Sequence, residues 1–170
     1  MSESTIKLEY CDGVIYAMAG GTVAHGQLSV NIASALKVQT RTTCAVLSSD
    51  VKVRIDATDL TTFPDASVVC GKVKTASQDR TAITNPSVLV EVTSPSTEDY
   101  DRGDKLSHYK QLASVKTVIF VSHRRPELTV VSRRGRKWIE ETYRAGEAFS
   151  IDEPEVSLNV DDVYEGVALD

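Results

Sequence analysis

Three residues whose types suit phosphoryl chemistry fall on neighbouring segments: Asp65 in "FPDASVVC", Glu91 in "VLVEVTSPST" and Lys105 in "YDRGDKLSHY". Glu91 is the least ordinary of them, because Val88, Leu89 and Val90 lead into it and Val92 follows, the pattern of a strand buried on both faces. A carboxylate taken out of water costs roughly several kcal/mol unless something compensates it. If Asp65 and Glu91 converge they repel, each tends to hold its proton, and a divalent cation removes the conflict. Magnesium prefers oxygen ligands and keeps several of its waters, so two carboxylates plus a main-chain carbonyl such as that of Val92 form a sufficient protein share, and manganese is an alternative ion. Lys105, on the helix after the Ser-Pro-Ser-Thr turn, would relieve charge developing on phosphorus and position or activate a water. The plainer alternative for Asp101, Asp104 and Lys105 is a solvated first helical turn with acids near its positive end.

The elements that must position these groups are legible from periodicity. "CDGVIYAMAGG" reads as an Asp-Gly turn, a strand and a loop. From His25, Leu28, Ile32, Ala35 and Leu36 recur at helical spacing. In "CAVLSSDVKVRID", Val51, Val53 and Ile55 alternate with Lys52 and Arg54, the period of a half-buried strand with Asp50 at its entry. Pro64, with no amide hydrogen to donate, is tolerated just ahead of the strand that Asp65 opens. Residues 71–84 read as a loop or short helix, and a helix is expected from Asp101 to Ala113 with Leu106, Tyr109 and Ala113 as its apolar stripe. "TVIFV" is a further core strand, "LTVVSRRGRKWIEETY" a hairpin turning at Gly135, and "DDVYEGV" closes the chain. The order predicts one α/β domain over residues 1–170, with a central mixed β-sheet flanked by helices and a C-terminal β-hairpin.

Composition narrows the function classes. With 170 residues, 41% hydrophobic and 25% charged, the chain has the size and make-up of one globular domain. No apolar run is long enough to cross a bilayer and no secretory leader opens the chain, which predicts a cytoplasmic address and no membrane partner. Cys11, Cys44 and Cys70 form an odd, scattered set without metal-ligand spacing and read as reduced thiols. The net charge of −5 opposes nonspecific coating of nucleic acid. A local basic face is still present in "HRRPELTVVSRRGRK", where Arg133, Arg134 and Arg136 are either solvated surface or a phosphate-facing patch.

Taken together, "FPDASVVC", "VLVEVTSPSTEDYDRGDKLSHY", "SSDVKVRI" and the closing "DDVYEGV" resemble the restriction endonuclease family of the PD-(D/E)XK nuclease superfamily that is abundant in cyanobacteria. The resemblance implies a restriction-endonuclease-like core and a magnesium-dependent endonuclease acting on DNA, in a homodimer suited to cutting both strands. It matches Asp65 to the motif aspartate, Glu91 to the motif glutamate and Lys105 to a lysine moved from the position that Thr93 occupies here. His25, Asp50, Asp101 and Tyr109 are accessory candidates, with helix anchoring the plainer role for His25. Val14 stands where many relatives carry an acid after the Asp-Gly turn, and "ASVKTVIFVSH" lacks a common Glu-Tyr pair. The alternative is an inactive protein of the same fold that binds nucleic acid or a protein partner.

Overall fold

The computed structural model describes residues 7–17 and 20–169. In chain order these form β1 (Leu8–Cys11), β2 (Val14–Ala17), α1 (Val23–Thr40), β3 (Cys44–Ser48), β4 (Lys52–Ile55), β5 (Leu60–Thr62), β6 (Ala66–Cys70), β7 (Ala82–Ile83) and β8 (Val88–Val92). A short helix α2 (Glu98–Tyr100) runs through a π-helical turn (Asp101–Lys105) into α3 (Leu106–Tyr109). Then come β9 (Thr117–Val121), β10 (Glu127–Arg134), β11 (Lys137–Arg144), β12 (Ala148–Asp152), β13 (Glu155–Asn159) and α4 (Val160–Tyr164).

The central sheet has six strands in the order β11-β10-β9-β8-β6-β3, and it is mixed because β8 and β9 run parallel while their neighbours are antiparallel. Alternation along β8 divides the core. Val88, Val90 and Val92 pack with Leu28, Ile32 and Leu36 of α1, with α4 and with β12–β13. Leu89 packs on the opposite face with Val53, Ile55, Leu60, Leu106 and Tyr109. Glu91 shares the face of Leu89, since side chains alternate along a strand. Helices therefore flank the expected mixed sheet, but a second sheet, β2-β1-β5-β4-β7, covers much of the Glu91 face.

Several local expectations are corrected. "CAVLSSDVKVRID" forms two strands, with Asp50 in the turn between them, because β3 pairs with β6 while β4 pairs with β5. The helix expected to reach Ala113 ends at Tyr109, and Ala113 is exposed. Beyond that point Arg133 donates to the carbonyls of Lys110, Leu112 and Val115, which fixes the chain in a non-helical path. Cys44 and Cys70 are not free thiols: they stand directly opposite each other in the β3–β6 ladder and are disulfide-bonded, leaving Cys11 as the free cysteine. Among the described residues no helix is long and apolar enough to cross a membrane.

Candidate active site

The β6–β8 ladder pairs Ala66 with Val90, so its next rung sets Asp65 opposite Glu91, with both side chains on one face. The Asp65 amide donates to the Val90 carbonyl at 3.0 Å, one residue out of register with the Ala66–Val90 pair, and this holds Asp65 beside Glu91 just past the end of the ladder. Pro64 sits where the chain leaves β5 for β6 and no ladder amide is required. The Asp65 carboxylate turns back, and its Oδ2 accepts the Val92 amide at 2.7 Å.

Lys105 comes to this rung from the π-helical turn, a widened turn of a kind that recurs at functional sites. Its Nζ lies 2.9 Å from Glu91 Oε1, 3.3 Å from Glu9 Oε1 and 3.5 Å from Asp101 Oδ1, and the residue is only 2% exposed. The three donors of the ammonium thus meet three carboxylates. Asp101, Lys105 and Tyr109 recur every four residues and share one helix face, which is why all three are buried here. The Tyr109 hydroxyl donates to the same Glu91 Oε1.

Glu9 is the member that sequence reasoning passed over. It is 5% exposed on β1, accepts the Thr62 hydroxyl, and accepts the Phe63 amide at 3.4 Å, which ties β1 to the segment leading into Asp65. An Asp-Gly turn needs a strand on each side, and "LEYC" before it was the available signal.

His25 approaches from the first turn of α1, where Thr22 caps the helix by accepting the His25 amide at 3.2 Å. Its Nε2 lies 3.5 Å from Asp65 Oδ2, and the ring also faces the Val92 carbonyl. A side chain at Gly21 would place its Cβ 2.7 Å from His25 Nδ1, so the second glycine of the pair leaves room for this ring. The hydrogen bond to Asp65 raises the imidazole above the ordinary histidine range, against the effect of burial.

The electrostatics are those of crowded acids. Burial pushes Glu91 up to about 8, with Lys105 acting in the opposite sense. Burial also pushes Asp101 up. For Lys105 burial acts to lower the ammonium, but Glu91 and the neighbouring groups outweigh it and hold it well above the lysine range. A Glu91 that retains a proton and a permanently charged Lys105 are compatible: Oε1 takes the Tyr109 and Lys105 donors, leaving Oε2 for the proton. Among the described residues no group of three or more His, Cys, Asp and Glu side chains is arranged to hold a metal. The oxygens at this rung that could contribute to holding a hard cation with most of its waters retained are those of Asp65, Glu91 and the Val92 carbonyl.

Asp50 is not brought to this site; its side chain is 82% exposed and pairs with Lys7 at 3.0 Å. The Arg-rich turn is also remote. Ser132 pairs with Thr117 at the start of β9, whereas Glu91 and Val92 pair with Phe120 and Val121 at its end, so Arg133, Arg134 and Arg136 lie beyond the opposite end of the strands. Arg133 is spent on three carbonyls and on the Trp138 ring, 4.6 Å away, and Arg134 is paired with Asp152. At the carboxylate end Arg124 and Arg125, 65% and 66% exposed in the β9–β10 turn, pair with Glu98 and Glu127, and Arg144 shares Glu127.

A crystal structure from Anabaena variabilis, described as a putative nuclease belonging to DUF820, superposes with a TM-score of 0.77 over 99% of this chain and 95% of that one, at 14% identity. The chain belongs to the Uma2 family, described as "Putative restriction endonuclease", whose model matches residues 1–161. Two uncharacterized proteins of Synechocystis sp. are similar to it. One, slr1290, is 34% identical over 96% of this chain and 86% of its own length. The other, sll1609, is 25% identical over 70% of this chain and 68% of its own.

Proposed function

We propose that the protein is a metal-dependent endodeoxyribonuclease that hydrolyses DNA phosphodiester bonds with Mg2+, for which Mn2+ can substitute. The observation that carries this reading is the Lys105 ammonium 2.9 Å from Glu91, on the rung where Asp65 faces it. The family description and the shared fold support it.

In this reading Asp65, Glu91 and the Val92 carbonyl hold the cation. When bound, the ion supplies Lewis-acid stabilisation of charge on the scissile phosphate. Lys105, kept charged by its carboxylate neighbours, acts as a fixed positive group that orients Glu91 and favours the more negative transition state. Glu9, Asp101 and Tyr109 hold that ammonium and Glu91 Oε1 in place, so they are positioning residues. Glu91 must release its proton for Oε2 to become a ligand. His25 lies against Asp65 and the Val92 carbonyl, where it must yield to the cation or share Asp65 with it. Arg124 and Arg125, at the same end of the sheet, are placed to meet the DNA backbone.

Nicking of supercoiled plasmid in Mg2+, in Mn2+ and in EDTA tests the proposal. Conversion is expected with either metal, none in EDTA, and none for Glu91→Gln. Absence of metal-dependent conversion by the parent protein would overturn it.

A further inference from the structure

Cys44 opens β3 and Cys70 closes β6, and the bridge between them ties the edge strand of the central sheet to its neighbour at one corner. The two sulfurs are unequally placed. Cys44 is 6% exposed and packs with the α1 side of the core, whereas Cys70 lies in the open. Main-chain pairing does not depend on the bridge: β3 pairs with β6 from Cys44–Cys70 to Ser48–Ala66, and Ala66, Ser67 and Val68 pair with β8 on the other side. Each sulfur also has a hydroxyl beside it. Thr43 Oγ1 lies 3.7 Å from Cys44 Sγ and donates its own hydrogen to the Thr40 carbonyl at 2.7 Å. Ser87 Oγ lies 3.7 Å from Cys70 Sγ and donates to the Val68 carbonyl at 3.1 Å. With its single hydrogen so placed, each hydroxyl can only accept from the sulfur, and a sulfur has a hydrogen to give only as a thiol. The surroundings therefore suit the dithiol form as well as the bridged one.

We propose that Cys44–Cys70 is a reversible thiol-exchange site, entered at Cys70 Sγ by a small-molecule thiol. The attacking thiolate forms a bond to Cys70 Sγ, the bond between the two cysteine sulfurs breaks, and its electron pair stays on Cys44 Sγ. In its buried position Cys44 takes up a proton and donates it to Thr43 Oγ1. A second thiolate then attacks the small molecule's own sulfur in the adduct, which releases a small-molecule disulfide and leaves Cys70 as a thiolate that a proton neutralises. Two small thiols are oxidised to one disulfide, the bridge is reduced to two thiols, and the two protons lost by the former are gained by the latter. A small-molecule disulfide attacked by Cys70 runs the sequence backwards and closes the bridge again.

The remaining features fit exchange at Cys70. Lys72 and Lys74 follow it, both exposed, and Asn85 fixes the chain there by accepting the Lys74 amide and donating to the Lys72 carbonyl. Cationic neighbours favour a thiolate and attract a thiol that carries carboxylates. The third cysteine is a bystander: Cys11 lies on β1 of the other sheet, and burial, with Asp12 and Asp59 beside it, pushes its thiol up. The acidic cluster stands at the opposite end of β6, before Ala66, so the exchange leaves the residues of that cluster in place. What the bridge controls is stability. It closes a loop between residues 26 apart, and opening it releases that constraint on the unfolded chain. The melting temperature of the protein thereby follows the thiol–disulfide balance around it.

Equilibration of the full chain in graded mixtures of reduced and oxidised glutathione, followed by acid quenching, alkylation and peptide mass mapping, tests the proposal. The bridge is expected to open while circular dichroism still reports a folded chain, with the glutathione adduct at least ~10-fold more abundant on Cys70 than on Cys44. The melting temperature should fall by roughly 5–15 °C on reduction and return when oxidised glutathione is restored. Cys44→Ser should take the adduct at position 70, whereas Cys70→Ser should leave Cys44 unmodified as long as the chain is folded. The parent is mapped without any substitution, so a variant that fails to fold leaves the decision with the parent. A bridge that opens only as fast as the chain unfolds, adducts shared equally between the two cysteines, a melting temperature indifferent to reduction, or an oxidised parent with three free thiols would overturn the proposal.

Discussion

Replacing Lys105 with Met keeps the bulk of the side chain and removes the charge at the centre of the cluster. Three carboxyl groups then face one another without the ammonium that now stands 2.9 Å from Glu91, 3.3 Å from Glu9 and 3.5 Å from Asp101. Removing one partner of a buried ion pair costs about 3–5 kcal/mol. For a domain of this size, 1 kcal/mol moves the melting temperature by about 2–4 °C, so the variant should melt roughly 6–20 °C lower at pH 7. The penalty is electrostatic and therefore depends on pH, because protonated carboxyl groups do not repel. Burial has already pushed Glu91 up to about 8 and raised Asp101, and without Lys105 both rise further. At pH 5 the protons are available at little cost, and the destabilisation should shrink to about 1–2 kcal/mol. Thermal melts of parent and variant at pH 5 and pH 7 measure this difference. An equal penalty at the two pH values, or less than about 1 kcal/mol at pH 7, would refute the view that the ammonium holds this cluster of acidic groups together.

Three further outcomes follow from the same geometry. Without added metal, the raised folded-state value of Glu91, about 8 against 4.5, means that its contribution is fully present below 4.5 and lost as pH rises through 8. The elevations of His25 and Asp101 act in the same direction, so denaturant-measured stability should fall by roughly 4 kcal/mol between pH 5 and pH 8.5, and a flat or rising profile would contradict it. Magnesium should raise the melting temperature by mass action and Asp65→Asn should remove most of that shift; an unchanged shift would place the ion elsewhere. Replacing Arg124 and Arg125 together should flatten the salt dependence of DNA binding, whereas Arg133→Ala should lower the melting temperature and leave the slope alone, since its guanidinium serves the Lys110, Leu112 and Val115 carbonyls.

What the sequence disclosed was chemistry placed against its local pattern. Glu91 stood out because a carboxylate interrupts an aliphatic strand, and Pro64 marked the strand entry that puts Asp65 on the neighbouring rung. Lys105 was linked to them by its place on the helix after the Ser-Pro-Ser-Thr turn, and the resemblance strengthened that link, since the helix says nothing by itself about its depth. The plainer expectation of a solvated first turn fails for Lys105 and Asp101, both buried, and holds for Asp104, which is exposed. Glu9 and the Cys44–Cys70 bridge were hidden for a common reason. Each depends on a long-range register, Tyr10 opposite Thr61 and Cys44 opposite Cys70, that no local periodicity encodes. The Arg-rich turn stayed open between solvated surface and phosphate-facing patch because charge density along the chain does not reveal which end of a strand faces the site. The β12–β13 hairpin went unread because its strands are short and half exposed.

The central claim, that Asp65 and Glu91 form one cation-dependent hydrolytic site, is tested most directly by single-turnover cleavage of a DNA duplex with protein in excess. Parent and Asp65→Asn would be compared in Mg2+ at one pH, with the fold of the variant verified by its melting curve. The account predicts metal-dependent cleavage by the parent and a rate at least ~100-fold lower for Asp65→Asn, the usual scale for losing one positioned electrostatic group. Cleavage by Asp65→Asn at the parental rate, or a parental rate indifferent to Mg2+, would contradict it.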